Sequence, residues 1–379
     1  MNIICYCCEE QITEETSSIE HILPNAIGGK LKSKELLCKD CNSNFGVSFD
    51  SELTKQLLFL SSFLNVKRDR GNHPKVKGGK TESGIDIDFL SGGKPYYAKP
   101  SVKTTTKNNE VVLDIMARDK KELKQILKGL SRKHPQIDIE EILSKSIEEK
   151  AYLNEPVKIT QTIGGAKALN AITKVALNYC IYKTKSFKPF TTTINTLKTD
   201  SKNELSKHYH SDKPLYKKIA QEICHIIHIQ SNKQNKNVIG YVEFFSSYSF
   251  IILLSDNYDG KNIKATYCYD LNSKKEIKKN INLKIATEDF NTLPIITPDY
   301  YPIITNKMDR IIKIGLKEQN DKALSNLISK CVDDIWKVKY GHEERVTKQM
   351  ITKLSQHIAM EFVKFMYRGK KTTANNGYK

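Results

Sequence analysis

No stretch of this 379-residue chain holds the roughly eighteen consecutive apolar residues that mark a membrane-spanning helix. Its longest apolar runs, FIILL and EICHIIHI, have the length of buried strands. Nothing near Met1 has the basic, apolar and small-residue layout of a signal peptide, and there is no internal repeat or low-complexity segment. These absences lead to the expectation of a soluble, cytoplasmic protein with two or three domains and an ample core.

Cysteine is the residue type whose distribution says most. Of nine cysteines, five fall within the first 41 residues, four of them as two C-x-x-C pairs. Cys180, Cys224, Cys268 and Cys331 lie singly in apolar surroundings. An odd count, paired spacing at one end and no secretion signal favour metal ligands plus inert buried thiols over a disulfide framework.

The formal net charge is +18, from 61 Lys and Arg against 43 Asp and Glu. Residues 1–60 carry 5 basic and 9 acidic side chains, whereas 61–135 carry 17 and 8. A basic chain suggests a polyanionic partner. Because the cysteine-rich segment is acidic, later regions or a partner must supply most phosphate contacts if that segment acts on nucleic acid.

The pattern along the chain predicts an α+β protein. After the cysteine-rich unit, an amphipathic helix is expected over 50–64, then a basic linker over 66–79. Alternating segments within 84–117 read as antiparallel strands. Helices are expected at 119–131, 138–149 and from Gly165 to about Tyr182, with a strand at EPVKITQ. Residues 224–270 read as a four-strand meander, and the C-terminal third as helical. There Val346, Met350, Leu354, Ile358, Phe362 and Met366 form an apolar stripe, and 369–379 reads as a frayed polar tail. The expected domains are 1–65, a linker 66–79, and a larger mixed α+β region 80–379 with a sub-boundary near 150, containing an antiparallel sheet and C-terminal helices.

Cys5 and Cys8, then Cys38 and Cys41, are two knuckles separated by 29 residues. Four thiolates suit a closed tetrahedral Zn²⁺ site; the alternative is two unrelated pairs of buried cysteines. A unit of this size has too small a core to hold itself together, so the zinc is expected to be structural. With no open coordination position it is not the catalyst. Cys7 is a nearby competitor for the first knuckle.

Between the knuckles lies IEHILPNAIGGKLKSKELLCKDCNSNFG, residues 19–46. Hydrolysis of a phosphodiester needs a cation on the phosphate, a base to deprotonate water, and oxygen ligands for the cation. Glu20 offers a carboxylate and Asn42 a carbonyl, both suited to Mg²⁺ or Mn²⁺. His21, with an ordinary pKa of about 6.5, can take the proton. On a strand, adjacent Glu20 and His21 point to opposite faces unless the backbone bulges.

These elements resemble the HNH endonucleases of the ββα-metal fold, and most closely a zinc-stapled subgroup. The matching elements are Cys5/Cys8, Glu20-His21-Ile22 with Pro24, Gly28-Gly29, Leu37-Cys38, Cys41-Asn42 and Phe45-Gly46, over the first 50 to 65 residues. The resemblance implies His21 as general base and Glu20 and Asn42 as ligands of the catalytic Mg²⁺ or Mn²⁺. It also implies DNA, in preference to RNA, as the substrate. The family's central Asn, which orients the base, has Ser33 in its place, with Asn25 or the Ser33 hydroxyl as substitutes.

Lys67, Arg68 and Arg70 either contact phosphates beside the site or belong to a solvated linker. His208 and His210 read as surface residues. His225 and His228 point to opposite strand faces, which argues against joint ligation. Tyr241, Tyr248, Tyr258, Tyr267 and Tyr269 either stack on bases or pack sheet faces. The resemblance extends, as analogy, to effectors of bacterial antiphage systems, where 80–379 would bind an activating nucleotide, a protein partner or a second copy. The competing readings are a free-standing restriction-like or mobile-element nuclease, and a zinc-dependent nucleic-acid-binding or scaffold protein without activity.

Overall fold

The computed structural model describes residues 2–107, 110–147, 153, 155–199, 203–210, 215–281, 283, 285, 287–293, 298–341 and 345–367. The expected tail at 369–379 lies outside them. The chain is a mixed α+β protein with antiparallel sheets. It folds as two compact units, one of residues 1–74 with 161–315 and one of residues 75–160 with 316–379. The region 80–379, expected to carry a sub-boundary near 150, is shared between the two units, and its 161–315 part belongs to the same unit as the N-terminal segment.

The first unit begins with a short hairpin, β1 (Glu20–His21) and β2 (Lys32–Ser33), with Glu20 opposite Ser33 and His21 opposite Lys32. Its connection turns on two glycines for different reasons. Gly28 caps a 3-10 turn at φ +96°, a left-handed conformation that disfavours side chains. At Gly29 a Cβ would lie 2.0 Å from the Leu23 carbonyl oxygen. Helix α1 (Lys39–Phe45) follows, its first turn starting at Cys38. The expected helix over 50–64 is broken into a wide turn at Gly46–Asp50, then α2 (Ser51–Gln56) and α3 (Leu58–Phe63). Leu57, at φ −90° and ψ 2°, marks the second break.

In the second unit, β3 (Val76–Thr81), β4 (Asp86–Leu90) and β5 (Lys94–Tyr97) form a sheet that β8 completes. Here β3 occupies part of the expected linker, where a register shift between Val76 and Gly79 accommodates the two glycines. A separate ribbon, β6 (Ser101–Lys107) with β7 (Glu110–Met116), precedes α4 (Lys120–Ser131) and α5 (Ile139–Lys145). Strand β8 is Val157–Lys158.

The chain then re-enters the first unit at α6 (Ala166–Thr184), a helix buried along almost its whole length. After α7 (Thr191–Lys198) come β9 (Ser206–His208), β10 (Cys224–Asn232), β11 (Asn237–Phe244), β12 (Tyr248–Ser255), β13 (Lys264–Asp270) and β14 (Lys275–Glu276). They form one antiparallel sheet in the order β14-β13-β10-β11-β12-β9. Both faces are covered, which explains the near-continuous apolar runs. Ile227, Ile229, Val242 and Ile252 join the core shared with α6 and the zinc module, while Cys224, Ile226, Tyr241 and Ile251 join a second cluster with Ile281, Leu283 and Phe290. Gly240 on β11 lets α6 approach: a Cβ there would lie 3.1 Å from that of Ala176. Tyr241, Tyr248, Tyr258, Tyr267 and Tyr269 are buried packing residues.

Helix α8 (Thr287–Thr292) precedes α9 (Tyr301–Val332), which continues into a wide-turn segment to Tyr340, and α10 (Lys348–Met366). Of the expected apolar stripe, Met350 is buried, whereas Val346, Phe362 and Met366 are exposed. Among the described residues no helix is long and apolar enough to cross a membrane.

Candidate active site

The zinc knuckles meet as their spacing requires. The sulfurs of Cys5, Cys8, Cys38 and Cys41 all lie within 4.8 Å of one another, with Cys8 and Cys38 at 3.8 Å. A tetrahedral Zn²⁺ with bonds of about 2.3 Å sets its ligand sulfurs about 3.8 Å apart, so this donor set fits the ion. Among the described residues it is the one cluster of this kind. The second knuckle sits on the start of α1, where the Asn42 amide bonds the Cys38 carbonyl at 2.9 Å.

That helix start also places Asn42. Its Nδ2 donates to Ser18 Oγ at 3.0 Å and to the Ile19 carbonyl at 3.3 Å, tying α1 to the chain two residues before His21. The amide oxygen is left as the atom Asn42 can offer a cation.

Glu20 and His21 diverge, as adjacent residues on an unbulged strand do. The His21 side chain is 30% exposed, and its Nε2 stands 3.6 Å from Asp69 Oδ2. Partial burial lowers its pKa below the ordinary 6.5, aided by Lys32 and Lys30 and opposed by Asp69. The imidazole is therefore neutral near neutral pH, the form a general base requires.

Glu20 is 3% exposed and faces α6. Its Oε1 accepts from Asn178 Nδ2 at 2.7 Å and pairs with Lys174 Nζ at 2.9 Å. The same Nζ reaches Asp50 Oδ2 at 2.5 Å, and Asn178 Oδ1 accepts from Tyr6 OH at 2.7 Å. Burial pulls the Lys174 ammonium down, but Asp50 and Glu20 outweigh it and raise the pKa. Burial pushes the Glu20 carboxyl up, against Lys174 and with Asp50. The ammonium is thus the favoured ion, flanked by two carboxylates. The expectation is that Glu20 and Asn42 bind a cation beside His21; in the structure Lys174 and Asn178 hold Glu20 Oε1. Strand alternation turns the carboxylate away from His21, and buried donors already hold it.

The segment 66–73 is not a free linker. Asp69 N donates to Asn25 Oδ1 at 2.8 Å, and Lys30 Nζ pairs with Asp69 Oδ1 at 3.3 Å. Of the basic residues singled out there, Lys67 and Arg70 are exposed, and Arg68 donates to the Asn72 carbonyl at 3.0 Å. The acidic residue among them, Asp69, is the one facing His21. Ser33, which stands where the family has its central Asn, accepts at Oγ from Glu35 N at 3.1 Å. Asn25 acts one step removed, by anchoring Asp69.

Sequence reasoning missed six contributors, among them Asp69 beside His21 and Asp50 beside Lys174. Tyr6, Lys174 and Asn178 build the buried network. His225 donates from Nε2 to the Ile27 carbonyl at 2.8 Å and accepts from Phe245 N at Nδ1. It braces the turn between β1 and β2, and burial pushes its pKa down to about 4. The readable signal was the polar row Asn170, Lys174, Asn178, four residues apart in an otherwise apolar helix. His208 and His210, expected at the surface, are half-buried and stacked 6.2 Å apart. Packing against Phe250 and Tyr300 draws them in.

Residues 5–58 match the family model of the HNH endonucleases. The N-terminal segment is therefore an HNH module whose four clustered cysteines fit a zinc-binding arrangement. No curated protein and no solved structure matches the chain.

Proposed function

We propose that this protein is a metal-dependent endonuclease that hydrolyses phosphodiester bonds in DNA, with His21 as the general base. The observation that carries the reading is the position of His21. It lies within the matched segment, is half-exposed on a hairpin pinned by the zinc cluster, and has its pKa lowered so that the imidazole is neutral. His21 would take the proton from the attacking water as the P–O bond forms and the leaving oxygen departs. A divalent cation, Mg²⁺ or Mn²⁺, would supply charge stabilisation on the phosphate. Asn42 is its candidate oxygen ligand, and Glu20 does not fit that task.

Lys67, Arg68 and Arg70, with Lys30 and Lys32 near His21, are the proposed contacts to the DNA backbone. Lys67, Arg68 and Arg70 lie outside the acidic segment 1–60 and partly offset its charge. We place the remainder of the chain in target choice and activation, on the analogy of antiphage effectors in which an HNH module is fused to a sensor. Plasmid nicking with added Mg²⁺ or Mn²⁺, compared with His21→Ala, tests the assignment. Cation-dependent nicking that the variant loses supports it, and equal nicking by both overturns it.

A further inference from the structure

The disagreement between Glu20 and its expected role as a cation ligand has a structural cause. The Lys174 ammonium is shared by the buried Glu20 carboxylate and by Asp50, whose side chain is 22% exposed. Removing the lysine strands the buried Glu20 charge, whereas neutralising Glu20 and Lys174 together leaves only Asp50, which solvent reaches. Glu20 is in addition the residue adjoining His21 in β1, paired across the hairpin with Ser33. Whatever fixes the Glu20 side chain therefore fixes the backbone that carries the imidazole.

The fixing groups come from α6, outside the segment that matches the family. Lys174 is 2% exposed and Asn178 is fully buried. Through them the helix grips three points of the zinc module: Tyr6 beside the first knuckle, Glu20 on β1 and Asp50 after α1. A catalytic base misplaced by about 1 Å can lose about 100-fold in rate, so a grip at the neighbouring residue acts on catalysis.

We infer that Glu20 is a structural counter-ion in this protein, and that Lys174 and Asn178 of α6 are positioning residues for His21. The nuclease site is then discontinuous in sequence, completed by a helix that lies beyond residue 160. This deepens the reading of His21 as the base and rests on it. Turning Glu20 out toward a cation would leave the Lys174 ammonium buried with Asp50 alone and strip Asn178 of its acceptor.

The test uses the full-length protein as wild type, Lys174→Met, Glu20→Gln/Lys174→Met and His21→Ala. Single-turnover nicking, zinc content and hydrogen exchange across residues 19–33 are read for each. Lys174→Met is expected to retain zinc, to lose about 10- to 100-fold in kcat with KM for DNA unchanged, and to lose exchange protection in the β1–β2 hairpin. The double variant, which removes the buried Glu20 charge as well and leaves only the partly exposed Asp50, is expected to recover both protection and most of kcat at an unchanged half-activating Mn²⁺ concentration. If it recovers protection but stays inactive, or needs far more Mn²⁺, Glu20 is a cation ligand and the inference is overturned. Wild-type protection and kcat in Lys174→Met overturn it as well. Should Lys174→Met fail to hold zinc, Asn178→Ala provides the same comparison, with a several-fold fall in kcat expected. If wild type and His21→Ala are equally inert, the base assignment fails and hydrogen exchange alone decides the positioning claim: lost and restored protection supports it, and unchanged protection refutes it.

Discussion

Glu20 and His21 are neighbours in β1, yet their side chains serve opposite sides of the strand: Glu20 lies 2.9 Å from Lys174 Nζ and His21 lies 3.6 Å from Asp69. One residue ties the strand to a helix far along the chain, and the other is partly exposed to solvent beside Asp69. The first prediction follows from the second contact. Burial lowers the His21 pKa while Asp69 raises it. A general base works deprotonated, so kcat/KM should climb with pH through a limb below about 6.5 and be level near neutrality. Asp69→Asn removes the raising influence and should move that limb to lower pH. A limb that stays in place, or moves up, contradicts the assigned contact.

How much of this was legible beforehand depended on how local the cause was. The C-x-x-C spacing, the Gly28-Gly29 turn and the Glu20-His21 strand act over a few residues, and their pattern led directly to the zinc hairpin. The buried meander at 224–270 was visible because β-branched and aromatic residues ran unbroken. The partner of Glu20 was not, since no local pattern says which carboxylate a buried lysine 154 positions later will meet. The anchoring of 66–73 was not legible for a similar reason: its composition reads as a linker or surface loop, and its hold depends on Asn25 and Lys30. The break at Leu57 in the helix expected over 50–64 was not legible either, since the periodicity of its apolar residues is continuous.

Zinc removal should disable the module without touching the base. Cys41→Ser, or chelation of the wild-type protein, should eliminate bound zinc, expose the β1–β2 hairpin to exchange and abolish nicking. Excess Mg²⁺ should not restore it, because a hard cation does not replace thiolate-bound zinc. Full activity in zinc-free protein would contradict the staple.

Gly29 should be intolerant of any side chain. A Cβ 2.0 Å from the Leu23 carbonyl oxygen forces the backbone to move, so Gly29→Ala is expected to destabilise the fold by about 2 kcal/mol or more. Urea unfolding measures this, and a loss under about 0.5 kcal/mol would contradict the close approach.

Acid should unfold the first unit through its buried histidines. His225 has a folded pKa of about 4 against an ordinary value of about 6.5, so the unfolded state binds more protons between them. Its contribution is whole above about pH 6.5 and is lost as pH falls toward 4, amounting to about 3 kcal/mol. His225→Asn, which retains a donor for the Ile27 carbonyl, should flatten the stability profile in that window. A wild-type profile that is already flat from pH 7 to 4 would count against the buried neutral imidazole.

The most direct test of the account is chemical rescue of the base. Single-turnover nicking by His21→Ala is measured with Mn²⁺ at neutral pH, with and without added imidazole. The account predicts a rate at least about 100-fold below wild type, partly restored by imidazole in proportion to its unprotonated fraction. Wild-type cleavage by His21→Ala, with no response to imidazole, would contradict it.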